Sequence, residues 1–271
     1  YLSRREEPSG KGKILVVDGR VAFTGGINIA DEYINEKPRF GHWKDVGLKL
    51  MGDAVERFTY MFLELWNESE RQKDTYDRYI CPKDVSCPSD GYVIPYSVCP
   101  LGPERVGEKV YLEIINTAHT YVHIMTPYLI LDYQMLMALI YAAKRGVEIV
   151  IIMPHIPDKW YAFAVAKTYY KELIEGGVQI YEYTPGFVHA KVFVSDDDTA
   201  TVGTINLDYR SLYLHFECGV FIYNNPEIDK IEQDFQQTLA RCHKVSLVEA
   251  KERSLFIKIS GHVLRMVAPL M

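Results

Sequence analysis

His189, Lys191 and Asn206 lie in one short stretch whose spacing suits a phosphate. His189 and Lys191 are two positions apart, so on a strand they share a face. Val192–Ser195 and Thr199–Val202 read as paired strands that turn at Asp196. The returning strand leads into Gly203-Thr204, a turn where backbone can approach a ligand, and brings Asn206 back beside the His and Lys. A cation and an amide can hold phosphoryl oxygens, and an imidazole supplies nucleophilic or acid–base chemistry.

The same spacing occurs a second time. Lys13, Asp18, Gly25-Gly26 and Asn28 repeat the Lys–Asp–Gly–Asn intervals of the later stretch. Further on, the segment His42–Leu50 resembles His215–Tyr223, and the carboxylates the two segments carry are Asp45 and Glu217. Each copy thus offers a strand-borne carboxylate of the kind that holds an imidazole in one tautomer. Within its own copy, Glu217 is expected to orient His189. The correspondence breaks at one place: two positions before Lys13 stands Lys11, where the second copy has its histidine.

With two such motifs, the chain resembles the phospholipase D superfamily. Gly25–Tyr33, Thr126-Pro127-Tyr128, Tyr169–Lys191 and the terminal Pro269-Leu270-Met271 resemble bacterial cardiolipin synthases within it. The resemblance implies an α/β, phospholipase D-like fold of two pseudo-symmetric repeats of mixed β-sheet flanked by helices, the first repeat incomplete. It implies a phosphatidyltransferase that makes cardiolipin from two phosphatidylglycerol molecules and releases glycerol through a phosphohistidine. In that scheme the first-copy histidine attacks phosphorus. His189 is general acid for the departing glycerol and then base for the incoming hydroxyl. Lys13, Lys191, Asn28 and Asn206 hold phosphoryl oxygens, with Gly26, Gly203 and Thr204 lining the site. Asp18 and Asp196 complete the motifs and brace turns and lysines. No metal or other cofactor is required, because the lysines supply positive charge. The intact protein is expected at the cell membrane, with N-terminal transmembrane helices upstream and its catalytic part on the cytoplasmic side. The alternatives are a hydrolytic phospholipase D or nuclease, and a phospholipid-binding protein without catalysis, which Lys11 favours.

The elements that must position these residues alternate strand and helix. Residues 1–70 read as the first repeat, 71–97 as a Pro- and Cys-rich linker, 98–249 as the second repeat and 250–271 as an amphipathic helix. Lys13–Val17 reads as a buried strand, His42–Leu50 as one strand, and Asp53–Glu68 as a helix with Val55, Phe58, Phe62 and Leu65 on one stripe. Val147–Met153 is wholly apolar, as a central strand covered on both faces would be. In the last segment Phe256, Ile259, Val263, Val267 and Leu270 form a stripe flanked by Lys251, Arg253, Lys258, His262 and Arg265. That pattern suits either docking on the core or contact with an anionic membrane, and a lipid substrate favours the membrane.

Composition narrows the classes. The chain has 271 residues, 48% apolar and 24% charged, as an ordinary folded protein does. A net charge of −6 argues against a general nucleic-acid binder; phosphatidylglycerol and anionic membrane lipids are the partners that the resemblance implies. The five cysteines are odd in number and form no framework, and Cys81, Cys87 and Cys99 have no nearby histidine at metal-ligand spacing.

Overall fold

The computed structural model describes residues 13–70, 75–80, 90–252 and 255–268. Lys11, Cys81, Cys87, Arg253, Leu270 and the side chains of Phe256 and Lys258, all singled out above, lie outside the described residues.

The elements run β1 (Ile14–Val17), β2 (Val21–Gly25), β3 (His42–Lys44), β4 (Gly47–Met51), α1 (Ala54–Glu70), β5 (Tyr92–Val98), α2 (Val106–Thr117), β6 (Tyr121–Met125), α3 (Tyr133–Lys144), β7 (Glu148–Pro154), α4 (Trp160–Glu175), β8 (Gln179–Tyr183), β9 (Gly186–Val188), β10 (Val192–Ser195), β11 (Thr199–Gly203), β12 (Glu217–Tyr223), α5 (Glu227–Leu239), β13 (Cys242–Lys244), α6 (Leu247–Lys251) and α7 (Leu255–Met266). Eight strands form the main sheet in the order β13-β8-β7-β6-β10-β11-β12-β5. β6, β7 and β8 are parallel and the other pairings antiparallel. The parallel pairs need crossovers, and α3 and α4 supply them. Every residue of β7 after Glu148 is buried, as its apolar run requires.

The first copy contributes a three-stranded antiparallel sheet, β1-β2-β4. Its Ala22, Leu50, Val55 and Phe58 share one core cluster with Val192, Ala200 and Val220 of the second copy. Apolar burial between the sheets therefore joins the two copies.

Three expectations need correction, and the last segment takes the docked one of its two readings while its outer side stays exposed. β1 is not buried: its residues alternate, and Leu15 is 58% exposed, because β1 is an outer strand of the small sheet. The single strand over His42–Leu50 is interrupted at Asp45-Val46, giving β3 and β4. On α1 the buried side chains are Val55, Phe58, Thr59 and Leu63, whereas Phe62 faces outward. Finally, α7 docks on the protein. Gly261 presses on the Ala164 backbone of α4, and Arg265 lies 4.0 Å over the Tyr169 ring. Ile259, Val263 and Met266 remain exposed on its outer side.

Candidate active site

A two-stranded parallel ladder, β3 with β9, builds the centre of the site. It pairs Trp43 with Phe187 and Lys44 with Val188 across the two copies. The next residue on each strand is Asp45 and His189, so parallel register sets these two side by side. The His189 N–H donates to the Lys44 carbonyl at 2.7 Å. The His189 Nδ1 lies 2.8 Å from Asp45 Oδ2. Asp45 also accepts the Val46 N–H at 2.9 Å, which fixes the carboxylate. Trp43, Tyr33 and Phe187 pack around the imidazole, with ring centroids 5.2, 5.2 and 6.1 Å away.

This overturns the assignment of Glu217 to His189. The pairing that holds the imidazole crosses between copies: Asp45 of the first copy holds the histidine of the second. Glu217 instead accepts from the Thr204 hydroxyl at 2.5 Å and from Ser211 Oγ at 3.5 Å. The nearest described imidazole to Glu217 is His215, 3.9 Å from its Oε1. Pairing within a copy was the natural reading of the sequence, because β3–β9 pairing joins residues far apart in the chain.

The two lysines meet at the same place. Lys191 is 3% exposed and its Nζ donates to the His189 carbonyl. Lys13 Nζ donates to the Gly26 carbonyl at 2.6 Å. Lys13 is near enough for its charge to act on His189, Lys191 and Glu217. Burial shifts all three. Burial, then the Lys191 charge, pushes His189 down to about 3. Burial lowers Lys191 to about 7, with Asp45 opposing. Burial raises Glu217 to about 7, with the Thr204 bond opposing. Burial alone would raise Asp45, but its bond to His189 and the Lys191 charge hold it below the usual carboxylate range. His189 is thus neutral, with Nδ1–H turned to Asp45 and the Nε2 lone pair available.

The turns repeat as well. Gly26 N–H donates to the Val46 carbonyl at 3.1 Å, and Thr204 N–H donates to the Cys218 carbonyl at 2.9 Å. Gly26 has no side chain for a direct reason: a Cβ there would overlap the Asp45 carboxylate. Gly203 likewise allows close approach of the Cys218 backbone.

The remaining motif residues divide. Asn28 is exposed and donates to the Tyr33 hydroxyl. Asn206 donates through Nδ2 to Asp208 at 3.1 Å and Ser211 at 3.0 Å. Asp196 stands at the hairpin turn past Ser195, at the opposite end of β10 from His189. There it accepts the backbone N–H groups of His119, Thr120 and Tyr121 at 2.7–2.9 Å. Asp18 holds the matching turn, at the end of β1–β2 remote from Gly26, and is exposed. Both have left-handed φ of 53°. The two aspartates are therefore turn residues, placed away from the imidazole and lysines. Sequence reasoning also passed over Tyr33, Trp43, Ser211 and His215. Two of these, Trp43 and His215, are equivalent by the alignment that pairs Asp45 with Glu217, which was the available signal.

Residues 111–239 match the family described as cardiolipin synthase, PLD-like domain. A cardiolipin synthase of Clostridium perfringens is 36% identical over 277 residues, spanning 100% of this chain and 58% of that protein. An uncharacterized protein of Streptococcus mutans serotype c is 51% identical over 259 residues, 96% of this chain and 56% of its own. Among solved structures, the phosphatidylserine synthase of Haemophilus influenzae superposes with a TM-score of 0.71 at 14% identity, over 96% of this chain and 68% of that one. Nuc of Salmonella typhimurium, a phospholipase D family member, does so with a TM-score of 0.50 at 21% identity, over 58% of this chain and 99% of its own. These two likenesses show the fold. The chain spans a little over half the length of the relatives it matches in sequence.

Proposed function

This chain belongs to the phospholipase D superfamily and is similar to cardiolipin synthases, and we propose that it forms the catalytic part of a phosphatidyltransferase that joins two phosphatidylglycerols into cardiolipin with release of glycerol. The observation that carries this reading is the buried Asp45–His189 pair, at 2.8 Å, with two lysine charges converging on it.

The phosphodiester binds with its oxygens facing Lys13 and Lys191, whose charges stabilise the added negative charge as phosphorus becomes five-coordinate. Asp45 keeps His189 in the Nδ1–H tautomer, so Nε2 points its lone pair at the site. In the scheme that the resemblance implies, a first-copy histidine bonds phosphorus through its ring nitrogen as the P–O bond to glycerol breaks; the position two before Lys13 reads Lys11 here, and His189 acts only in proton transfer. The incoming hydroxyl gives its proton to His189 Nε2 as its oxygen bonds to phosphorus and the P–N bond breaks. In the first half-reaction His189 gives a proton to the departing glycerol. The neutral histidine of the free site suits the base half directly. The acid half follows binding, since an anionic phosphate beside the imidazole raises its pKa. Asn28, with its exposed amide, and the Gly26 and Thr204 turns border the phosphoryl group. The membrane is the substrate's home, and the exposed Ile259, Val263 and Met266 of α7 are offered as one contact with it; no described helix is long and apolar enough to cross a membrane.

A second reading, a phospholipid binder without turnover, is favoured by Lys11 at the first-copy histidine position. Labelled phosphatidylglycerol in mixed micelles separates the readings. Transfer gives cardiolipin and glycerol, hydrolysis gives phosphatidic acid, and binding alone gives neither. His189→Gln is expected to abolish cardiolipin formation, and retention of full activity would sink the proposal.

A further inference from the structure

Isoleucine is among the residues most often buried. The loop that leaves the Gly26 turn nevertheless exposes Ile27, Ile29 and Ile34, and Ile29 is fully exposed. This loop borders the imidazole: Asn28 donates to the Tyr33 hydroxyl, and the Tyr33 ring stands 5.2 Å from His189. A second apolar edge lies on the other side. The Ile156 N–H donates to the Gly186 carbonyl at 3.4 Å, at the start of β9, the strand that leads to His189. The Ile156 side chain is exposed, as are Trp160 and Tyr161 at the start of α4. The two edges stand close to one another. The Asp158 charge acts on Tyr33, and Tyr128, which donates to Asp158 at 2.5 Å, also feels Tyr33.

Single exposed apolar side chains are ordinary on a protein surface. Here they gather on both edges of one opening, and their chemistry suits a lipid surface. Trp160 and Tyr161 each join an apolar ring to a polar tip, which fits the headgroup level of a bilayer. The cations beside the isoleucines are engaged: Lys37 pairs with Asp31, and Arg39 lies 5.0 Å over the Phe40 ring. With Glu32 and Glu36 in the same loop, no excess of positive charge remains there. Apolar burial, rather than attraction to anionic headgroups, is what this rim offers. The outer side of α7 continues it, because Gly261 packs on Ala164, one turn past Trp160.

We infer that the mouth of the site is itself a membrane-docking surface. Ile29 and Ile34 on one edge, and Ile156 and Trp160 on the other, enter the headgroup layer, so that a phosphodiester reaches His189 while its acyl chains stay in the bilayer. This rests on the lipid-substrate reading and adds the orientation in which the site meets the lipid.

Trp160 is a built-in reporter. Fluorotryptophan is incorporated into the full-length protein, which is placed in vesicles of phosphatidylglycerol and phosphatidylcholine carrying a headgroup spin label. The Trp160 fluorine resonance is the one missing from Trp160→Phe. It is expected to broaden, while that of Trp66, also exposed but beside the remote Asp18 turn, stays sharp. Ile29→Asp alters a fully exposed side chain and so spares the fold. It is expected to reduce the Trp160 broadening. It is also expected to lower cardiolipin formation from vesicles about fivefold relative to that from monomeric short-chain phosphatidylglycerol, since an apolar contact with the bilayer is replaced by a charge. A Trp160 resonance as sharp as that of Trp66, as it would be if the rim met another protein, overturns the docking surface. A vesicle-to-monomer rate ratio within twofold of wild type in Ile29→Asp does so too. No turnover of either form of lipid, with Trp160 broadened in wild type and less so in Ile29→Asp, would count against the transferase reading alone and leave the docking surface standing.

Discussion

Asp45 and Glu217 occupy equivalent positions in the two motif copies yet meet different surroundings. Asp45 faces an imidazole, and its own neighbouring turn is a glycine that leaves room for the carboxylate. Glu217 faces the hydroxyl of Thr204, the residue that stands where the first copy has Gly26. The protonation of each follows from that difference. Partnered with His189 and near Lys191, Asp45 is held below the usual range. Buried with only neutral partners in contact, Glu217 is raised to about 7. A carboxylate is kept charged in such a place by the group it faces, not by its place in a repeat.

Breaking the better-partnered side should cost most. Asp45→Asn leaves the packing but removes the charge that holds the His189 tautomer, and kcat is expected to fall about 10²-fold or more. Glu217→Gln is expected to cost less than Asp45→Asn in the same assay. Equal losses would mean that both carboxylates serve an imidazole alike.

Gly26→Ala comes next. The new methyl overlaps the Asp45 carboxylate, so the Asp45–His189 bond should be displaced at a cost of about 2 kcal/mol in stability. A melting curve unchanged from wild type would contradict the close approach.

The third contrast is in pH. Glu217 is raised from 4.5 to about 7 in the folded protein, so its contribution is fully present below the unfolded value and is lost as pH rises through about 7. Wild type should therefore lose melting temperature relative to Glu217→Gln over that window. A difference independent of pH would show that Glu217 is charged throughout.

The smallest effects fall on the hairpin aspartates. Asp196→Ala removes the acceptor of three backbone N–H groups and should cost about 1–2 kcal/mol. Asp18→Ala, at the exposed matching turn, should lie within about 0.5 kcal/mol of wild type. Those N–H bonds hold the Asp196 carboxyl below its usual range against burial, so its contribution is present at neutral pH and is lost as pH falls through the folded value. Equal effects of the two substitutions on melting would erase this distinction between the copies.

Much of this was legible in the chain. The apolar run of β7, the turns at Asp18 and Asp196 and the repeated Lys–Asp–Gly–Asn spacing are local patterns, and local patterns show in sequence. The β3–β9 pairing was not legible, because two three-residue strands 144 positions apart carry no periodic signal. For that reason the carboxylates were seen and their imidazole was misassigned. The Asn206 orientation was hidden too, since it depends on Asp208 and Ser211 folding back on a short helical turn.

The most direct test is the ¹⁵N chemical shifts of the His189 ring, followed from neutral to acid pH in wild type, Asp45→Asn and Glu217→Gln. Crossed pairing predicts a neutral Nδ1–H imidazole in wild type that resists protonation well below the ordinary histidine range, a changed tautomer in Asp45→Asn, and little change in Glu217→Gln. A His189 that titrates as a free histidine, or whose tautomer changes with Glu217 instead of Asp45, would contradict it.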